Sequence, residues 1–247
     1  MEKGLFTKHI SQQFNEELEN VRQKVLTMGG LVEEQIEQAL ESLSTLDSDL
    51  SKEVIERDQK VNTYEVNIDE ECTRILAKRQ PAAGDLRLVV AIIKTITDLE
   101  RVGDEAEKIA RMANHIALSM DNSLPSKKQF GAVMNLGNHV KSMINQALDA
   151  FARLDVDAAL RVAQMEKTAD KEYDAITRQL ITYMMEDPRS ISPALDVLWS
   201  ARSLERIGDH ARNICEYVIY LVEGKDVRHV SLKEMQALAS SSENADN

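Results

Sequence analysis

The chain has 247 residues, 42 acidic against 30 basic, for a formal charge of −12. With 43% hydrophobic residues it is too apolar for a disordered chain, while 9 Gly, 4 Pro and 4% aromatics are too few for the turns and strands of a sandwich or barrel. The acid excess speaks against general nucleic-acid binding, which draws on clustered Lys and Arg, and suits cations or a basic partner.

Long helices remain, and apolar residues recur three and four apart almost throughout. The first stripe is Phe14, Leu18, Val21, Val25, Met28, Val32, Ile36, Leu40 and Leu43. Asp47-Ser48-Asp49 then supplies an N-cap composition. In the second helix Val54, Val61, Ile68 and Ile75 stand seven apart, a heptad seam that packs lengthwise. It stops at Arg79-Gln80-Pro81, because Pro disfavours helix in the residue before it. A third helix starts near Asp85 and runs through Leu99 to Ile116.

Asp121-Asn122-Ser123-Leu124-Pro125-Ser126 is the clearest interior break, and the pattern then repeats. A fourth helix carries Phe130 to Phe151, and a fifth opens at Asp155 and ends at Asp187-Pro188. A sixth opens at Ser192-Pro193, with Ser as N-cap and Pro at the first helical position, and continues to Gly224. The expectation is an all-α protein of six long helices, arranged as two tandem three-helix bundles over residues 1–121 and 126–230. Residues 231–247, which end in Ser240-Ser241-Ser242-Glu243-Asn244-Ala245-Asp246-Asn247, read as a disordered tail.

The halves share more than helix count. Leu99-Glu100-Arg101-Val102-Gly103-Asp104 matches Leu204-Glu205-Arg206-Ile207-Gly208-Asp209, displaced by 105 residues, and internal duplication is the economical account. At that displacement Glu65 and Asp69 fall on Asp170 and Asp174, although a shift of about one turn is arguable there.

Each pair is Glu/Asp-x-x-x-Asp, and residues four apart share a helix face. Glu65/Asp69, Glu100/Asp104, Asp170/Asp174 and Glu205/Asp209 therefore make four acidic pairs, two per half. Converging carboxylates repel one another unless a cation neutralises them, and Mg²⁺, Mn²⁺, Fe or Zn²⁺ accept such ligands. The plain alternative is a set of solvated helix faces, with Arg101 and Arg206 neutralising their neighbours. Gly103 and Gly208 recur inside the motif although a mid-helix Gly costs about 1 kcal/mol, which indicates close approach of a helix or a ligand.

No histidine sits three after a Glu, so the Glu-x-x-His signature of di-iron bundles is absent. His210 reads as a surface residue and Trp199 as a packed one. Nucleophile elbows, P-loops and dinucleotide fingerprints are also missing, and no organic cofactor is expected. Cys72 and Cys215 lie far apart in helical patterns, which fits a reducing compartment rather than a disulfide framework. Met1 to Phe6 lead into polar sequence without the apolar stretch of a secretory leader. No uncharged apolar run approaches the ~18 residues of a spanning helix. A soluble cytoplasmic protein is expected.

At the duplicated strings the chain resembles the PhoU family, regulators attached to the bacterial phosphate-specific transport system. His9 to Asn15, Met28-Gly29-Gly30, Ala77 to Pro81, Asp85 to Leu88 and Tyr183 to Asp187 carry the same likeness, which runs from about His9 to Val230 and points to a proteobacterial member. The resemblance implies two similar three-helix bundles side by side, with iron or other divalent ions on Glu65, Asp69, Glu100, Asp104, Asp170, Asp174, Glu205 and Asp209. It implies negative regulation of the phosphate-starvation response and of phosphate uptake. The route is contact between the phosphate ABC transporter, through its ATPase PstB, and the sensor histidine kinase PhoR. It further implies a homodimer, peripheral to those membrane complexes, with no enzymatic activity. The readings set against it are a carboxylate-bridged metalloenzyme or metal-storage bundle, and a purely structural helical adaptor.

Overall fold

The computed structural model describes residues 12–119, 127–228 and 230–243. Seven α-helices occur among them: α1 (Gln12–Thr45), α2 (Ser48–Arg79), α3 (Ala83–Leu118), α4 (Lys127–Arg153), α5 (Val156–Glu186), α6 (Ile191–Glu223) and α7 (Leu232–Glu243). The break at 121–126 and residues 9–11 of the His9–Asn15 stretch lie outside the described residues.

The turns explain why consecutive helices fold back on one another. Asp47 caps α2 by accepting from the Asp49 and Leu50 amides at 2.9 and 3.1 Å, after Leu46 takes a left-handed φ of 56°. The same device returns in the second half, where Leu154 has φ 54° and Asp155 accepts from the Ala158 amide at 2.8 Å. A left-handed Leu is unfavourable in isolation, so its recurrence is a structural copy of the duplication. At the other end Gly224 closes α6 with φ 69°, where a side chain would be strained. The start of α6 differs from expectation. A 3-10 turn, Pro188–Ser190, leads straight into the helix at Ile191, so Ser192 is already helical and is no cap.

α1, α2 and α3 pack on one another, as do α4, α5 and α6, giving two tandem three-helix bundles. They meet most extensively along α3 and α6, and secondarily along α1 and α4. One apolar core runs through both, from Val25, Met28 and Ile36 to Ile214 and Val218. The α1–α4 contact is reciprocal. Leu40 of α1 fills the space over Gly137 of α4, and Leu148 of α4 fills the space over Gly29 of α1. Leu148 follows Leu40, and Gly137 follows Gly29, at the same offset that separates the capping Asp155 from Asp47. The bundles are therefore related by a pseudo-two-fold exchange.

Residues 232–243, expected as disordered tail, form α7 instead. Ser231 and Glu234 make a reciprocal capping box, Glu234 Oε2 accepting from the Ser231 amide at 2.8 Å and Ser231 Oγ from the Glu234 amide at 3.3 Å. Met235 of α7 and Val227 before it are fully buried.

Candidate metal centres

Acidic residues of α2 meet those of α3, and acidic residues of α5 meet one of α6. Asp58, Asp104 and Glu107 each bring one carboxylate oxygen to within 4.8 Å of the others, and Glu166, Asp170 and Asp209 form a matching group in the second bundle. The two groups occupy equivalent places. Glu166 follows Asp58 at the offset of the capping aspartates, whereas Asp209 follows Asp104 at the shorter offset of the glycine motif. The second repeat is thus three residues shorter between the start of its middle helix and the glycine motif. This decides the register that the sequence leaves open. Asp58 and Asn62 of α2 correspond to Glu166 and Asp170 of α5, whereas Glu65 and Asp69 correspond to Tyr173 and Thr177.

Of the eight carboxylates singled out by sequence, Asp104, Asp170 and Asp209 therefore stand in the two groups. Glu65, Glu100 and Glu205 adjoin them electrostatically. Burial raises the Glu100 carboxyl above its ordinary range, with the charges of Asp104, Glu65 and Asp58 adding. Burial likewise raises Glu65, with Asp69 and Asp104 adding, and Glu205, with Asp209 and Asp170 adding. Asp104 and Asp209 are themselves raised, first by burial and then by Asp58 in one bundle and Asp170 in the other. Asp69 adds its charge to the field on Glu65, and neither Asp69 nor Asp174 stands in either group. Asp58, Glu107 and Glu166 were not evident from sequence, because the register of the glycine motif hides the pairing of Asp58 with Glu166.

Oxygen-only donor sets of this kind fit hard or borderline cations such as Mg²⁺, Mn²⁺ or iron. Two orphaned acceptors strengthen the fit. Gln35 is 1% exposed and its Oε1 has no hydrogen-bond donor. Glu205 Oε1 accepts from Arg202 at 2.7 Å, but its Oε2 is buried without a donor. A buried acceptor left without a partner costs free energy, and a cation removes that cost.

The α3–α6 seam between the bundles holds two further clusters. His210, expected at the surface, is 6% exposed, and its Nδ1 lies 2.6 Å from Asp98 Oδ1. Asn213 and Tyr217 also donate to Asp98, at 3.1 and 2.7 Å. Burial alone would raise Asp98, yet these bonds hold its carboxyl below the ordinary range. Across the seam, buried Glu105 lies 3.0 Å from both Lys108 Nζ and Arg206 Nη1. Trp199, expected to be packed, is instead 59% exposed beside Met112 and Arg202. Both cysteines are buried thiols, and burial pushes Cys72 up to about 12. No helix among the described residues is long and apolar enough to cross a membrane.

This arrangement of repeated acidic helices matches a known family. The PhoU domain model matches twice, over residues 25–113 and 133–218, once in each bundle. The chain belongs to the PhoU family. It is 58% identical over 235 residues to the phosphate-specific transport system accessory protein PhoU homolog of Pseudomonas putida, covering 95% of this chain and 90% of the relative. The PhoU accessory protein of Escherichia coli K12 is 51% identical over 231 residues, 94% of each chain. The crystal structure of PhoU from Pseudomonas aeruginosa superposes with a TM-score of 0.82 at 55% identity, over 86% of this chain and 100% of that one. PhoU from Streptococcus pneumoniae, titled a phosphate transport system regulatory protein, gives 0.78 at 31% identity, over 87% of this chain and 99% of that one. These relatives are named for accessory and regulatory roles in phosphate transport.

Proposed function

We propose that the protein restrains the phosphate-starvation response and phosphate uptake when phosphate is plentiful, acting in the cytoplasm by contact with other proteins. The contacts we infer are with the ATPase of the phosphate transporter (PstB) and the sensor histidine kinase (PhoR). The observation that carries this reading is the pair of PhoU matches, one per bundle, together with relatives named accessory proteins of that transport system at more than half identity.

In this reading a divalent cation is a structural ligand. Asp58, Asp104 and Glu107 would hold it in the first bundle, and Glu166, Asp170 and Asp209 in the second. A bound cation supplies positive charge that joins α2 to α3 and α5 to α6, and relieves the like-charge repulsion that raises Asp104 and Asp209. No catalytic step is assigned to it.

Deletion in the host tests the regulatory reading. Phosphate-starvation genes should be expressed at high phosphate, and reintroducing the chain should silence them. Unchanged expression in the deletion strain overturns the proposal. Pull-down from cells grown at high phosphate should recover the kinase or the ATPase. Recovery of neither from crosslinked cells overturns the contact part.

A further inference from the structure

The two centres are copies whose surroundings have diverged, and three positions carry the difference. The first lies beneath the motif glycine. A Cβ placed on Gly103 would stand 3.0 Å from Asp58 Oδ1 and 3.2 Å from Gln35 Oε1, so both oxygens face the space that the glycine leaves. At Gly208 the equivalent space is faced by Val140 Cγ1, Ala169 Cβ and Met143 Cε at 3.5 to 3.7 Å. Met143 follows Gln35, and Ala169 follows Val61, at the offset that relates Asp155 to Asp47, so Met143 is the structural counterpart of Gln35. The two side chains are alike in length and differ at the end, one an amide and the other a methyl.

The Gln35 amide is fixed in orientation. Its nitrogen donates to Asp58 Oδ1 at 3.1 Å and to the Gly103 carbonyl at 3.4 Å, which leaves Oε1 as the unpartnered end. In a core position this buried, an orphaned carbonyl beside a carboxylate is costly unless an electropositive ligand joins it.

The second and third differences lie at the outer end. Glu107 of the first group is replaced, in the register of the glycine motif, by Arg212. Arg212 does not leave the site. Its Nη1 is 3.1 Å from Glu166 Oε1 and its Nε 3.1 Å from Glu216 Oε1. Asn62, which donates to Asp58 Oδ2 at 2.9 Å, is replaced by Asp170. Each group thus keeps three carboxylates and has an arginine on one of them, but the two arginines differ: half-exposed Arg111 pairs with Glu107 alone, one turn along α3, whereas the more buried Arg212 bridges Glu166 of α5 and Glu216 of α6.

We propose that the centres are not equivalent: Gln35 Oε1 is an additional cation ligand in the first, while Arg212 supplies the second with part of the positive charge that a cation would bring. The inference rests on the cation reading above and adds to it the chain's own selectivity between its two halves. The first centre runs inward from Glu107, whose outer side Arg111 pairs, through Asp104 and Asp58 to the open Gln35 Oε1. The second is closed inward by Met143, Val140 and Ala169, and a cation entering it must compete with Arg212 for Glu166.

The test is Mn²⁺ titration of the metal-stripped full chain by calorimetry, with a melting curve for each variant. Two phases are expected in the wild type. Asp104→Asn removes the tighter and Asp209→Asn the weaker. Gln35→Met, which copies the second repeat, should weaken the tighter phase roughly tenfold, the lower end of what a lost supporting contact costs. It should leave the weaker phase unchanged and the Mn²⁺-free melting temperature unchanged or higher. Gln35→Glu should retain the tight phase, and Arg212→Glu should tighten the weaker one. Equal affinities in the wild type, or an unaltered tight phase in Gln35→Met, overturn the inference while the cation reading stands. A wild-type chain that takes up no Mn²⁺ overturns the cation reading itself and this inference with it.

Discussion

Asp98 of α3 and His210 of α6 lie 2.6 Å apart in the seam between the bundles, each almost fully buried. Tyr217 and Asn213 complete the shell around Asp98, so α6 supplies all three side-chain donors to one carboxylate of α3. Removing one partner of a buried charged network leaves the others without their acceptor, which costs about 3–5 kcal/mol. Asp98→Ala should therefore lower the urea midpoint strongly, with Tyr217→Phe losing less, about 1.5–3 kcal/mol for its one bond to a charged group. A loss in Asp98→Ala no larger than that in Tyr217→Phe would show that the seam is held by apolar packing rather than by the network.

The same carboxylate sets a pH dependence. Its folded-state pKa lies below its ordinary 3.8, so its contribution is present above that value and is lost as pH falls through the folded value. Stability of the wild type measured against Asp98→Asn should show a gap that narrows as pH falls below about 4. A gap that widens below about 4 would contradict the sign.

Gly103 and Gly208 look interchangeable in sequence, yet their surroundings are not. An added methyl at Gly103 meets Asp58, Gln35 and Val61 at 3.0 to 3.3 Å, tighter than ordinary contact, whereas at Gly208 it meets side chains at 3.5 to 3.7 Å. Replacing Gly by Ala in a helix interior gains up to about 1 kcal/mol, and forced overpacking costs about 1–3 kcal/mol. Gly208→Ala should be neutral or stabilising and Gly103→Ala destabilising. Equal urea midpoints for the two variants would dissolve the distinction.

Much of the fold is legible in the sequence because helix physics is local. The heptad of Val54, Val61, Ile68 and Ile75, the Asp47 and Asp155 caps, the stop before Pro81 and the glycine end of α6 each announce themselves within a turn or two. What escapes is long-range or offset. The register of the glycine motif extends naturally to α2 and α5 and pairs Glu65 with Asp170. Only the caps at Asp47 and Asp155 and the left-handed Leu46 and Leu154 show that those helices repeat at a longer offset. The difference of three residues is close to one helical turn, so the wrong register still places acid on the right face, and the sequence does not expose the slip. His210 escapes because its partner, Asp98, lies 112 residues away. The Ser-rich composition after residue 231 hides a helix that the Ser231-Leu232-Lys233-Glu234 capping box marks at its start.

The reciprocal insertion at the α1–α4 contact makes a prediction about coupling. A methyl on Gly137 would stand inside the contact radius of Leu40, which is 3% exposed and cannot swing to solvent. Gly137→Ala should therefore destabilise, and Leu40→Ala alone should cost about 2–5 kcal/mol through the cavity it opens. Together they should cost less than their sum, because the new methyl occupies part of that cavity. The measurement is a double-mutant cycle in urea. Strict additivity would mean that α1 and α4 relax independently and that the exchange of Leu40 and Leu148 does not lock the bundles together.

α7 offers the last test, because composition and structure disagree there. Met235 is fully buried, and Lys225 Nζ donates to the Leu238 carbonyl at 3.1 Å, so the helix is tied back to the end of the second bundle. Burying one Met side chain contributes about 1.5–3 kcal/mol, and a capping Ser contributes roughly 1 kcal/mol more. A chain ended after Val230 should remain helical but lose about 2 kcal/mol of stability. Ser231→Ala should lose part of that by freeing the Glu234 amide. Hydrogen exchange separates this from a disordered tail: the amides of 235–238 should be protected in the full chain and should lose protection in Ser231→Ala. Exchange at the unprotected rate in the wild type would mean that α7 does not dock in solution, and that Met235 leaves the α5–α6 surface it covers.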